Sequence, residues 1–434
     1  MNRKRSVRLC FLAIVLFSAL SVGVDATIPA DETPVTSDGI LDRSSLDGMT
    51  MVTSQSDGLF FLSEDGSQVA RLADEDAYFD ADRVPEAGTH TILYTAANDI
   101  TITDCGFSTF CTENRVVLYN LTTGEKQILF SMTAKRTTSD RWHDADYLGT
   151  NRIVVADIAR DRVFIANTST GLITWQWQAH QAYNTSSGSQ TAEDWTHLND
   201  VEVLSDGRLM VSIRNQDQVV FLDPATGIND SLTLGQDHDP AAENKTLYEQ
   251  HNPDYIPPAT GGPSVLVADS EHNRVVEFQR TESGWEQSWE YDRGLNWPRD
   301  ADRLPNGNTL VADSRDNQVV EVDSTGQIVW QASVPLPYET ERLGSGSESD
   351  SGPSAERAGL QSITGESGQN PLLVTLKQVF PDKVINGFSF VLSGLRLSVV
   401  GGFLSLLMPG TLLVWGIAEW RWSAYRLRLP IGKW

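Results

Sequence analysis

Three histidines in this chain sit in similar company. The stretches Trp142-His143-Asp144, Asp194-Trp195-Thr196-His197-Leu198-Asn199-Asp200 and Gln250-His251-Asn252 follow one another along the sequence, and Ser212-Ile213-Arg214 comes after the second. Neutral imidazole can serve as a nucleophile or carry a proton near pH 7. A guanidinium offers several donors in a rigid fork to an anion. Imidazoles, a guanidinium and a carboxamide together suit a small oxyanion, provided the fold brings them to one place. A single histidine in a strand is ordinarily structural. Three in related register, with Asn199 and Arg214, point to a site.

The elements that would position them form a repeat. Arg299 to Trp330 reads as four short strands of β-branched residues separated by the turns Pro305-Asn306-Gly307, Arg315-Asp316-Asn317 and Ser324-Thr325-Gly326. The pattern recurs from His143, Asn199 and His251, an earlier copy opens at Phe79, and a degenerate one spans Met49 to Leu72. Six units spaced at roughly 35 to 65 residues predict an all-β fold, a six-bladed β-propeller whose first strands surround one axis. The stretch has no long amphipathic helix, which excludes α/β alternatives. A β-sandwich is the next arrangement, but the fixed period argues against it.

Aligned on their first strands, the units present Phe79, His143, Asn199, His251 and Arg299 in one column. The next column holds Asp80, Asp144, Asp200, Asn252 and Asp300, and two further on come Asp82, Asp146, Glu202, Asp254 and Asp302. Acidic columns that recur in units without histidine suggest turn and inter-blade hydrogen bonds to backbone amides. Calcium is the functional alternative, since hard oxygen ligands suit it; no metal is assigned. The first column differs from unit to unit, as a site built on a repeat should. His197 lies two residues before its column, which in a strand is the same side.

The formal net charge of −25 opposes nucleic-acid binding. Only seven of the 33 basic residues are lysine, and an acidic, lysine-poor surface suits a halophilic protein kept soluble in high salt. Arg3-Lys4-Arg5 precedes an apolar run from Leu9 to Val24, so residues 1–26 read as a signal peptide or a retained N-terminal anchor. Leu397 to Ala418 is uncharged and long enough to cross a bilayer, and basic residues follow it in the 419–434 tail. Both ends place the intervening chain on the extracellular face and the C-terminus in the cytoplasm. The expected organisation is a polar linker over 27–46, the propeller over 47–338, a disordered acidic Ser/Gly-rich linker over 339–370, a juxtamembrane segment over 371–396 and the transmembrane helix over 397–418. Cys105 and Cys111 suit a disulfide in an exported domain. Five Asn-x-Ser/Thr sequons, at Asn120, Asn167, Asn184, Asn229 and Asn244, are compatible with surface glycosylation.

From Trp142 to Trp330 the chain resembles the arylsulfotransferase family, the arylsulfate sulfotransferases that use no nucleotide donor, in an archaeal, halophilic-type, membrane-anchored form. The resemblance rests on Trp195-x-His197-x-Asn199 with Arg214 on the next strand, and on Gln250-His251 ahead of Val265-Leu-Val-Ala-Asp269-Ser-x-x-Asn273-Arg274. It implies that His251 is transiently sulfated, while His143, His197, Asn199 and Arg214 hold the sulfuryl group; Arg299, from the first column, and Trp195 are further substrate-binding candidates. The implied donor is an aryl sulfate, the acceptor a phenol, and no cofactor is needed. Two other functions fit a propeller: a cell-surface binding or scaffold domain without turnover, and a calcium-dependent hydrolase built on the acidic columns.

Overall fold

A computed structural model describes residues 40–42, 46–106, 109–137, 139–188, 194–235, 246–346, 348–365, 384–388 and 399–422, with 7, 8, 11, 12 and 15 near the N-terminus. The chain divides into two compact units, one over 31–369 and the other formed by 1–30 with 370–434. Most of the expected leader, the sequon at Asn244, most of the juxtamembrane segment and the basic tail after Trp422 lie outside the described residues.

The first unit is a six-bladed propeller of six four-stranded antiparallel sheets. The inner strands of blades two to six are Ala77–Arg83, Asp144–Gly149, Leu198–Val203, His251–Ile256 and Pro298–Arg303. Blade one takes its inner strand, Pro337–Arg342, from the far end of the domain, paired antiparallel with Thr50–Ser54. The expected linker over 339–370 therefore starts too early. Residues 339–342 close the ring, and the following segment packs on it, with Ser349, Ser354 and Ala355 buried and a short helix, α1 (Ala355–Ala358), capped by Ser354. Serines and glycines looked like a tether, yet their small side chains let this segment lie against the sheet: Gly352 approaches the Arg303 carbonyl so closely that an added Cβ would stand 1.8 Å from it. Leu41, assigned to the N-terminal linker, is also buried, and its amide donates to the Leu121 carbonyl.

The core is distributed between blades. Val and Ile runs such as Ile153–Val155 and Val265–Val267 are apolar at successive positions because both faces of each middle strand are covered by a neighbouring blade. One cluster joins Leu93 and Val116 to Ile153 and Phe164, the next Val154 and Val163 to Val211 and Val220, and the others continue the pattern around the ring. Polar turns and connections carry the described sequons. The Asn120, Asn167, Asn184 and Asn229 side-chain oxygens each accept from the amide two residues on, so the motif also encodes an Asx turn. Cys105 and Cys111 form the expected disulfide, with Cα atoms 5.7 Å apart.

Two backbone features aim the inner strands. The register shifts at Tyr78/Ala81, Leu198/Asp200, His251/Asp254 and Pro298/Asp300, and in blade one the shift at Val52/Ser54 lies opposite Tyr338-Glu339. A bulge of this kind re-aims adjacent side chains. Two residues before the first-column position, His197, Glu249, Trp297 and Leu336 all adopt left-handed φ values of 44° to 60°. His197 thus enters the bore from a kink ahead of its strand and not through strand alternation.

The acidic columns bind blade to blade. Carboxylate oxygens of Asp80, Asp146, Glu202, Asp300 and Glu341 accept from the amides of Ala145, Val203, Tyr255, Thr340 and Arg83 at 2.6 to 3.1 Å, and Asp144 accepts from Val201. Each acceptor reaches the next blade one residue past that blade's own acidic position. This is the inter-blade role expected of these columns.

In the second unit, helix α2 runs over Val399–Trp422, and its stretch 402–422 is long and apolar enough to cross a membrane. Among the described residues the helix covers most of the expected 397–418 span and continues past it through Glu419 and Arg421. Glu419 accepts from Trp415 Nε1 (3.1 Å) and pairs with Arg8 at 2.5 Å, and Phe11 stacks on Trp415 with ring centres 6.0 Å apart.

Candidate functional site

The first-column residues meet at the propeller axis. His143 lies edge-on to His197 with ring centres 5.4 Å apart and stacks on Phe79 at 4.5 Å. Tyr338, from the closing strand, links the two halves of the ring. Its hydroxyl is 2.9 Å from His143 Nδ1, and its ring stands 5.1 Å from that of His143 and 6.1 Å from that of His251. The Arg299 guanidinium covers the Tyr338 face at 5.0 Å. Arg299, Arg315 and Arg214 approach the Trp297 ring at 4.6, 3.7 and 6.0 Å, and Trp297 is edge-on to His251.

Neighbours fix the proton positions. Ser270 has one hydroxyl proton and donates it to the Pro298 carbonyl at 2.6 Å. Its oxygen is therefore an acceptor towards His251 Nδ1, 2.8 Å away. His251 then carries its proton on Nδ1 and presents Nε2 as a bare lone pair. Asp194 Oδ1 is 2.6 Å from His197 Nδ1. Burial pushes the Asp194 carboxyl up, but the hydrogen bond from His197 prevails and holds it below the usual range, so an ionised Asp194 accepts from His197 Nδ1–H.

Burial depresses all three imidazoles, His143 and His251 well below the ordinary 6.5 and His197 less. Positive Arg214 adds to the depression in each case, and Asp194 offsets part of it at His197. Burial also lowers Arg299 to about 10 and Arg315 to about 9, which leaves both protonated at neutral pH. The site thus combines neutral nitrogen bases with fixed positive charge. Arg214 pairs with Glu249, and Arg299 Nη1 donates to Gln55 Oε1 at 2.6 Å. Asn199 is fully buried and its Nδ2 donates to the Gln250 carbonyl at 3.1 Å, so part of its amide steadies the His251 strand.

His143, Asn199, His251 and Arg299 are brought together as their column requires, and His197 and Arg214 join them from outside it. Trp195 is not. It packs in the cluster between blades three and four with Trp177, Leu198 and Ile213. Tyr338, Trp297, Arg315, Ser270 and Asp194 escaped the sequence reading. Two of them were legible: Tyr338-Glu339-Thr340-Glu341 repeats the column pattern in the closing strand, and Trp297 stands before Arg299 as His197 stands before Asn199.

Fold and site together define a propeller with a buried centre lined by histidines and arginines, suited to an anion. Residues 121–334 match the family described as Arylsulfotransferase (ASST), and the match supports that family for the chain. No curated protein gives a significant sequence match. Solved structures similar to this chain include a protein of unknown function from Bacteroides caccae (13% identity, 68% of this chain and 98% of that chain, TM-score 0.46). A nidogen/laminin complex (13%, 69% and 100%, TM-score 0.45) and the periplasmic gluconolactonase of Pseudomonas aeruginosa (13%, 68% and 99%, TM-score 0.43) are others.

Proposed function

We propose that the propeller transfers a sulfuryl group from an aryl sulfate to a phenol through a sulfo-histidine at His251. The observation that carries this reading is the Ser270 arrangement, which leaves His251 Nε2 unprotonated among cationic groups. Nε2 attacks sulfur in line, the N–S bond forms, and the aryl S–O bond breaks. The phenolate takes a proton from the site, with His197 or His143 as the carrier. Arg214 and Arg299 stabilise charge on the sulfuryl oxygens. In the second half the acceptor phenol passes its proton to that same carrier as its oxygen attacks sulfur, and the N–S electron pair returns to His251.

The test uses 4-nitrophenyl sulfate and phenol in high salt. Wild-type protein should turn over only with acceptor, donor alone releasing no more than about one equivalent of nitrophenolate, and His251→Ala should release none. With donor alone, mass spectrometry should place an adduct of about the mass of SO₃ on the His251 peptide. Transfer retained by His251→Ala, or an adduct on another blade, refutes the assignment. No release by wild type would leave a binding or scaffold propeller.

The apolar helix and its basic flank support an extracellular propeller with the C-terminus in the cytoplasm, and the lysine-poor acidic surface suits salty surroundings. Protease added to intact cells should release the propeller; its full protection would reverse the orientation.

A further inference from the structure

Past the histidines, the same inner strands carry a second, chemically opposite lining. Asp80, Asp82 and Glu339 are all buried, and each offers an oxygen within 4.8 Å of the other two. Oxygens bound to one calcium at 2.3–2.6 Å stand at most about 5 Å apart, so a single ion can touch all three. The inter-blade hydrogen bonds do not account for every oxygen here. Asp80 Oδ2 accepts from the Ala145 amide, but Asp80 Oδ1 is buried without a partner.

Asn252 supplies an independent sign. It occupies the column that is acidic in the other blades, is 5% exposed, and donates through Nδ2 to Glu339 Oε2 at 3.2 Å. That bond holds its amide at the carboxylate trio, while its Oδ1 is buried with no donor to satisfy it. A buried carbonyl oxygen among carboxylates finds no hydrogen-bond donor in their ionised forms, but it is a good neutral ligand for a hard cation. Like charges at this density also need a counterion or protons. Three carboxylates this close repel one another when ionised, and a cation between them removes that cost.

We propose that the bore of the propeller binds a calcium ion between Asp80, Asp82 and Glu339, with the Asn252 amide oxygen as a neutral ligand. Calcium fits better than magnesium because it tolerates irregular oxygen shells and does not demand a tight octahedron. The ion would join blades one, two and five across the axis, a structural role separate from the histidine chemistry. The site does not rest on sulfuryl transfer, and its test needs no substrate.

The full chain in detergent is stripped with chelator and titrated with calcium chloride at constant high ionic strength. Calorimetry should give a saturable heat near one ion per chain, and the melting temperature should rise with calcium concentration up to about 1 mM. Magnesium should act weakly. Glu339→Gln and Asp82→Asn should each weaken calcium binding by about tenfold or more, since affinity follows ligand charge. Wild type that binds no calcium, or is stabilised equally by added sodium, overturns the proposal; so does undiminished binding by both variants. If the variants fail to fold, the wild-type titration and the metal content of gel-filtered protein still decide.

Discussion

The axis of this propeller has two linings on the same six strands. Where the first-column residues meet, each blade contributes something different: Phe79, His143, Asn199, His251, Arg299 and Tyr338. At the acidic positions nearly every blade contributes the same thing, a carboxylate whose oxygen holds the next blade's amide. Repetition marks the joint between blades, and departure from repetition marks the chemistry. Asn252 is the exception that proves useful, because it departs from repetition within the joint.

Substitutions in the two linings should separate rate from stability. Arg214→Ala should lower kcat/KM for sulfuryl transfer on the order of a hundredfold or more, as loss of one oxyanion donor does, with the circular dichroism of the fold preserved. Asp300→Ala should instead lower folding stability by about 1–3 kcal/mol, by leaving the buried Thr340 amide without its 2.9 Å acceptor. Asp300→Asn, which keeps an acceptor oxygen, should recover most of that loss. Denaturant melts and steady-state kinetics on the three variants check both halves. An Arg214→Ala enzyme of normal rate, or a stable Asp300→Ala, would erase the distinction.

The linings should also respond to pH with opposite sign. His143 and His251 titrate lower in the fold than in the unfolded chain, so their contribution is intact above about 6.5 and is lost as pH falls below it. The carboxyls titrate higher in the fold, Asp144 near 7 and Asp254 near 6 because of burial, so their contribution is present at low pH and is lost as pH rises through those values. The more numerous carboxyls should win, making chelated protein more stable at about pH 5.5 than at about 7.5. Melting curves across that window check it; a maximum above pH 7 in chelator contradicts it.

The fold was legible because every unit spells the same strand and turn pattern. His143, Asn199, His251 and Arg299 were legible because their column could be aligned without knowing any contact, and His197 and Arg214 because they stand in one motif with Asn199. Trp195 misled because a tryptophan beside a histidine resembles a substrate wall, whereas its kinked neighbour His197 turns into the bore and leaves Trp195 in the interblade core. Ser270 and Asp194 were hidden because their role is to orient a proton, which leaves no spacing signature. Arg315 was read only as part of a turn. Tyr338 was lost to the boundary drawn at 338, since the strand that carries it belongs to a blade begun at the opposite end of the domain.

That closing strand has a consequence for how the protein is made. Tyr338 contacts both His143 and His251, and it arrives after every other first-column residue has been synthesised. A nascent chain that has finished five blades still holds an open arc whose histidines lack their bridging phenol. Translation halted before Tyr338 would yield sheets whose centre lacks its bridging phenol, so the centre is completed in one late event.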